Sequence, residues 1–226
     1  MSEPVLAVED LHVRYGSEVV MKGLSLNLEA GECVTITGPN GCGKTTLLRA
    51  ISGHVMPCQG KVVFLGQDVT RLPAWRRAQL GLVHVLEGGR VFPTLSVEGN
   101  LRVSLQCSGK QADDALASVY AVFPQLAAQS MRKRPASALS GGERMVVVLA
   151  RAAAIAPKAL LLDSPFLGVG PDLRSTIGEQ LQHWVSSSKA AVVLVDHDAL
   201  GLGAISSRTF CMPVASQTPY PAKHWL

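Results

Sequence analysis

Long apolar runs are the first thing missing from this sequence. A membrane-spanning helix needs about 18 consecutive apolar residues, and the longest runs here, Met145–Ala150 and Ala190–Val195, are stopped by Arg151 and Asp196. A mean hydropathy of +0.24 is nevertheless high, and the excess is expected to serve a surface that docks on a partner. Residues 1–10 hold three acidic side chains and no basic one, which excludes a secretory signal. The five cysteines (33, 42, 58, 107 and 211) are odd in number and form no C-x-x-C pair, so neither a disulfide framework nor a zinc site is expected, and they read as reduced cytosolic thiols. Charge of one sign is also scarce. The net charge is +4, and apart from Arg132-Lys133-Arg134 the basic residues are scattered, which argues against a nucleic-acid partner. No internal repeat is visible. The 226 residues suit one sizeable α/β core, with or without an insertion.

What is present centres on Gly38-Pro39-Asn40-Gly41-Cys42-Gly43-Lys44-Thr45-Thr46. The stretch fits G-x-x-x-x-G-K-[ST], the phosphate-binding P-loop. The apolar run 33–37 reads as a buried strand and 45–51 as the helix that follows. Glycines let the backbone turn its N–H groups inward as an anion nest, and the helix start adds its positive dipole end. Lys44 is expected at the β- and γ-phosphates of ATP and Thr45 on Mg²⁺. Cys42, inside the loop, carries a second expectation: its alkylation blocks nucleotide and bound ATP protects it.

Taken in order, residues 5–13 and 19–28 alternate as strands of an antiparallel patch, with Tyr15-Gly16-Ser17 as their turn. Residues 61–65 and 81–86 read as strands and 71–79 as a short polar helix. From Ser96, an N-cap, to about Arg134 the spacing is helical, punctuated by Pro124 and Pro135. Another helix opens at Leu139-Ser140-Gly141-Gly142-Glu143 and stops before Pro157. Residues 159–163 form a fully apolar strand with an acidic end, followed by a helix from Pro171 to about Val185 and a strand at 190–195. This alternation predicts an α/β fold with a mostly parallel central sheet, an N-terminal antiparallel β patch and an inserted helical subdomain. The expected division is 1–86 and 156–226 for the nucleotide-binding core and 87–155 for the helical part. Asp163, at the end of its strand and 119 residues after Lys44, is expected on the Mg²⁺ side of the site.

The five residues Leu139–Glu143, placed 23 residues from Ser140 to Asp163, resemble the signature of ATP-binding-cassette (ABC) ATPases. The likeness runs through most of the chain. It is strongest to the importer ATPases for branched-chain, hydrophobic amino acids, through Arg14-Tyr15-Gly16, 86–93, 139–143 and Phe166–Pro171. The resemblance implies two cassettes facing head to tail, each ATP lying between one subunit's P-loop and the other's Ser140, Gly141 and Gly142. It implies that Tyr15 stacks on adenine and that His197, 34 residues after Asp163, contacts the γ-phosphate. Glu87 takes the place where most cassettes carry a glutamine, in the catalytic group and beside Thr45 and Asp163 at the metal. With the helical insertion, Glu87 would also face a transmembrane permease subunit, and a solute-binding protein would act further out. The chain itself would sit in the cytoplasm, peripheral on the inner face of the cell membrane.

One departure bears on chemistry. The family writes D-E-P where this chain has Asp163-Ser164-Pro165, so the position of the catalytic base holds Ser164. A serine is neither anionic nor a useful general base near neutral pH, and losing a base costs on the order of 10²–10⁴ in rate. The site is therefore expected to bind ATP and Mg²⁺ and to hydrolyse slowly, which favours a heterodimer with a second ABC ATPase subunit that carries the glutamate. Two further readings stand beside this one: a non-hydrolysing, nucleotide-gated partner subunit, and a non-transport ABC ATPase of DNA repair or translation. Residues 198–205 are expected to be helical, 209–212 a strand and 213–226 irregular, with no length left for a regulatory domain.

Overall fold

The structure is a computed structural model, and residues 3–106, 112–196 and 206–212 are described. Strands β1 (Leu6–Tyr15) and β2 (Glu18–Leu28) form an antiparallel hairpin. The P-loop joins β3 (Cys33–Thr37) to helix α1 (Lys44–Ser52). Next come β4 (Gln59–Phe64), the two-residue β5 (Gln67–Asp68), α2 (Ala74–Gln79) and β6 (Leu82–Val85). Helices α3 (Val97–Gln106), α4 (Ala112–Val122), α5 (Gln129–Lys133) and α6 (Gly141–Ala154) follow, with single 3₁₀ turns at Pro124–Leu126 and Ala136–Ala138. The described chain closes with β7 (Ala159–Asp163), α7 (Pro171–Ser188), β8 (Ala191–Val195) and β9 (Arg208–Cys211).

Two sheets result. One is antiparallel in the order β2-β1-β4-β5; the other is parallel in the order β6-β7-β8-β3-β9. The parallel strands are near-continuous apolar runs because both faces are covered. Alternation along them assigns the two faces. Leu161, Val193, Val195 and Ile36 pack with Leu47, Leu48 and Ile51 of α1 and with the antiparallel sheet. Leu160, Leu162, Val192 and Leu194 pack with Leu101 of α3, Leu149 of α6 and Ile177, Leu181 and Trp184 of α7. Leu47, Leu48 and Ile51 are fully buried, each contributing about 2 kcal/mol of apolar burial. They clamp α1 to the sheet, so the P-loop is held at the sheet's C-terminal edge, where parallel α/β sheets place their ligand sites.

Local differences from the sequence reading have physical causes. The helix expected over 71–79 begins only at Ala74, because Pro73 occupies its N-cap in an extended conformation. Helix α7 runs three residues past Val185 and ends on Lys189 at φ 59°. Within the stretch expected to be helical from Ser96 to about Arg134, the turn at Pro124 separates α4 from α5, at a proline expected to punctuate the pattern. The helix expected over 198–205 and the irregular tail 213–226 lie outside the described residues, as does Cys107. Among the described residues no helix is long and apolar enough to cross a membrane.

Candidate functional site: a P-loop cradle at the sheet edge

Gly38 leaves β3 at φ 146°, and Gly43 caps α1 in the left-handed region at φ 99°. A methyl on Gly38 would stand 2.5 Å from Met212 O and 2.9 Å from Cys42 Sγ, so only glycine lets the loop close on the end of β9. The loop also leans on the β1–β2 hairpin, since a methyl on Gly43 would meet Val20 Cγ1 at 3.1 Å. Met212 and Val20 thus form the floor and side wall of the cradle. No motif marked them, because both contacts depend on strands distant in sequence.

Lys44 is buried, and its Nζ donates to Gly38 O at 2.7 Å and Pro39 O at 2.9 Å, with Cys42 Sγ at 3.8 Å. The ammonium lies folded into the concavity, aimed where phosphate oxygens would displace the two carbonyls. Thr45 Oγ1 donates to Asp163 Oδ1 at 3.2 Å, so α1 and β7 bring a hydroxyl and a carboxylate together. Two hard oxygen donors at the cradle's edge suit Mg²⁺. Cys42 is also buried, and burial pushes its thiol above its ordinary value against the pull of Lys44. Alkylation in the loop as it stands is accordingly disfavoured, because both access and thiolate are reduced.

Thr45, Asp163 and Glu87 line one cleft of about 560 Å³, together with Arg49, His84 and Arg151. Glu87 is exposed on a turn after β6, closed by the Gly89 N–H on Leu86 O at 3.1 Å. Deeper in, His84 Nδ1 meets Ser52 Oγ at 2.9 Å, and Ser52 Oγ meets His54 Nδ1 at 2.8 Å. Burial, then the charges of His54 and Arg49, pull His84 down to about 4, so it is neutral at physiological pH. Its Nε2 finds no hydrogen-bond partner among the described residues.

The other expected residues lie apart from this cleft. Tyr15 is 46% exposed at the tip of the hairpin. Ser140 caps α6 by accepting from the Glu143 N–H at 3.2 Å, and Glu143 Oε2 accepts from the Ser140 N–H at 2.8 Å, a reciprocal capping box. That backbone N–H, with Arg134 Nη1 at 2.8 Å from Oε1, holds the Glu143 carboxyl below its usual range. Ser140 and Gly141 are exposed at the helix start, and neither they nor Gly142 line the cleft. Ser164 is buried at φ 48°, its N–H bonded to Val195 O at 2.8 Å. His197 lies outside the described residues.

These features define a P-loop nucleotide-binding cassette. Residues 21–167 match the ABC transporter family. The chain is 36% identical over 204 residues to a probable ABC transporter ATP-binding protein of Azorhizobium caulinodans, covering 89% of this chain and 72% of that protein. It is 34% identical over 199 residues to the spermidine/putrescine import ATP-binding protein PotA of Legionella pneumophila, covering 88% of this chain but only 54% of PotA. The fold is similar to the dimeric post-hydrolysis structure of the ATP-binding cassette MJ0796 bound to ADP and Pi, with a TM-score of 0.78 at 22% identity, covering 93% of this chain and 97% of that one. The chain belongs to the ABC transporter family, as an ATP-binding subunit.

Proposed function

We propose that this chain is the energy-coupling subunit of an ABC importer, binding ATP between its own P-loop and residues 140–142 of a second cassette. The observation that carries the reading is the cradle itself: Lys44 folded onto Gly38 O and Pro39 O beside the Thr45–Asp163 pair. Gly38–Thr46 wraps the phosphates, Lys44 neutralises them, and Tyr15 offers its exposed ring to the base. Thr45 and Asp163, with Glu87 across the cleft, would hold Mg²⁺, which when bound offsets charge on the phosphate oxygens. His197 completes the group at the γ-phosphate. We take 1–86 and 156–226 as the nucleotide core and 87–155 as the helical subdomain that meets the permease. The chain would sit peripherally on the cytoplasmic face of the membrane, with a solute-binding protein on the far side. The cargo class is a small solute: residues 86–93 favour branched-chain or related amino acids, and the PotA relatives favour polyamines.

Hydrolysis is assigned separately from binding. Ser164 supplies no anionic base, and it is buried with its backbone N–H bonded to Val195 O. Binding at this P-loop therefore outlasts turnover there, and the partner cassette carries the faster site in a heterodimer. Single-turnover hydrolysis should be measured for the chain alone, for the chain with its partner, and for Ser164→Glu. We expect Ser164→Glu to raise the rate at this P-loop by about 10²-fold or more with ATP affinity little changed. An unchanged rate would sink the impaired-site assignment; failure of the wild type to bind ATP would sink the whole reading.

A further inference from the structure

The loop from Leu86 to Phe92 connects the cleft to the helices, and its two ends are held differently. At the near end, Glu87 is exposed on a turn whose Gly88 stands at φ 74°, a backbone conformation that glycine adopts without strain. The far end is fastened twice. Asn100 of α3, fully buried, accepts from the Phe92 N–H at 2.7 Å and donates to Phe92 O at 3.0 Å and Ser96 O at 2.9 Å. Arg151 of α6 donates from Nη1 to Arg90 O at 2.7 Å and from Nε to Ser104 Oγ of α3 at 3.1 Å, and its guanidinium lies 4.8 Å from the centroid of the Phe92 ring.

One planar group thus touches the loop backbone, an aromatic ring of the loop and a second helix, while lining the cleft that holds Thr45, Asp163 and Glu87. Arginine suits this post because its fork donates in several fixed directions and stacks on aromatic faces at once. α3 and α6 also share the apolar cluster that includes Leu101, Leu105, Val148 and Leu149, so the two helices are packed into one layer. A displacement of Glu87 is then transmitted through a loop that can pivot at Gly88 and cannot slip beyond Arg90.

We propose that Arg151 is a positioning residue that ties the 86–92 loop to α3 and α6, so that occupancy of the nucleotide cleft is felt across the helical layer. The proposal rests on the nucleotide-binding reading above, and it assigns the coupling to a specific side chain rather than to the loop in general. Such coupling is established by a change at one site that depends on the other, not by spatial continuity.

The test is amide hydrogen exchange on the full chain, with and without Mg-ATP, alongside a separate ATP-binding titration. In the wild type, Mg-ATP should slow exchange at residues 86–92 and in α3. In Arg151→Met, which removes the hydrogen bonds and the cation–π contact, the α3 response should fall by about tenfold when both proteins are compared at Mg-ATP concentrations that the titration shows to be saturating for each; 86–92 should still respond. Arg151→Lys, retaining a cation near Phe92, should restore part of the α3 response. Phe92→Leu, at a ring that is 43% exposed and so tolerant of change, removes the stacking alone and should weaken the response if Arg151→Met fails to fold. Full α3 protection in Arg151→Met, or in Phe92→Leu should that one not fold, overturns the proposal, as does a wild type that binds ATP with no response in α3. A wild type that binds no ATP overturns the underlying reading, and the proposal with it.

Discussion

Replacing Arg77 with methionine should destabilise the protein more than any surface change of similar size. Arg77 is completely buried, and the hydrogen bonds its guanidinium makes among the described residues go to backbone carbonyls rather than to a carboxylate. The four acceptors are Leu72 O at 2.9 Å, Ala50 O at 2.9 Å, Ile51 O at 2.6 Å and Thr70 O at 2.7 Å. Ala50 and Ile51 lie in the last turn of α1, where carbonyls lack intrahelical partners and the helix dipole is negative. Burial pulls the group down to about 10, a desolvation of roughly 3 kcal/mol that still leaves it charged at neutral pH. Charge-assisted hydrogen bonds contribute about 1.5–3 kcal/mol each, so four of them outweigh that penalty. Methionine fills much of the volume but strands the carbonyls of Ile51, Thr70 and Leu72, while Ala50 O keeps the Gly53 N–H. The net loss should be about 3–5 kcal/mol, lowering the melting temperature by roughly 10 °C for a chain of this size. Urea and thermal unfolding followed by circular dichroism measure it, with Arg77→Lys expected in between. A loss under about 1 kcal/mol for Arg77→Met would refute the reasoning, because the four bonds would then do no more than offset desolvation.

Two other predictions concern the cleft wall and the start of α6. His84 is held neutral down to about 4 in the fold and takes up its proton near 6.5 when unfolded. Its contribution is therefore complete above pH 6.5 and is lost as the pH falls toward 4, by about 2 kcal/mol after allowance for partial solvent access; His84→Phe should reduce the stability difference between pH 7 and pH 4.5 by that amount in urea titrations. Gly142→Ala would bring a methyl to 2.6 Å from Leu173 Cδ2, the far end of a flexible side chain, while alanine favours the helix by about 1 kcal/mol. Stability should change by less than about 1 kcal/mol, whereas ATP-driven association of cassettes should weaken in sedimentation measurements, and unchanged association would remove Gly142 from that interface.

Much of this fold is written in local pattern. The runs at 33–37, 159–163 and 191–195 are dominated by apolar residues because two layers cover them, and the P-loop announces its conformation through glycines at positive φ. β5 escapes notice because two residues carry no period. Arg77 is concealed for a different reason: in sequence it is one of several polar residues in a short helix, and its burial becomes meaningful only when the end of α1, 26 and 27 residues earlier, arrives with unpaired carbonyls. Arg151 is hidden likewise, since Arg90 O and Phe92 reach it from about 60 residues away. Local propensity fixes elements, whereas these side chains act between elements.

The candidate site divides along the same line. The placing of Lys44 and Thr45 is legible because both belong to one strand–loop–helix unit, and that of Asp163 because an acidic residue ends an apolar strand; the meeting of Thr45 and Asp163 at 3.2 Å is what the fold adds. Ser164 was legible as a missing carboxylate, but only the fold adds that its side chain is buried and its backbone left-handed. That geometry bears on repair by substitution. A glutamate there must accept the same positive φ, a strain on the order of 1 kcal/mol, and must leave the buried pocket to reach the cleft. The strain is small beside the roughly 3–5 kcal/mol that a positioned base contributes to a barrier. Restoring the carboxylate should therefore raise hydrolysis even at some expense to stability, and this makes binding and turnover separable by one residue.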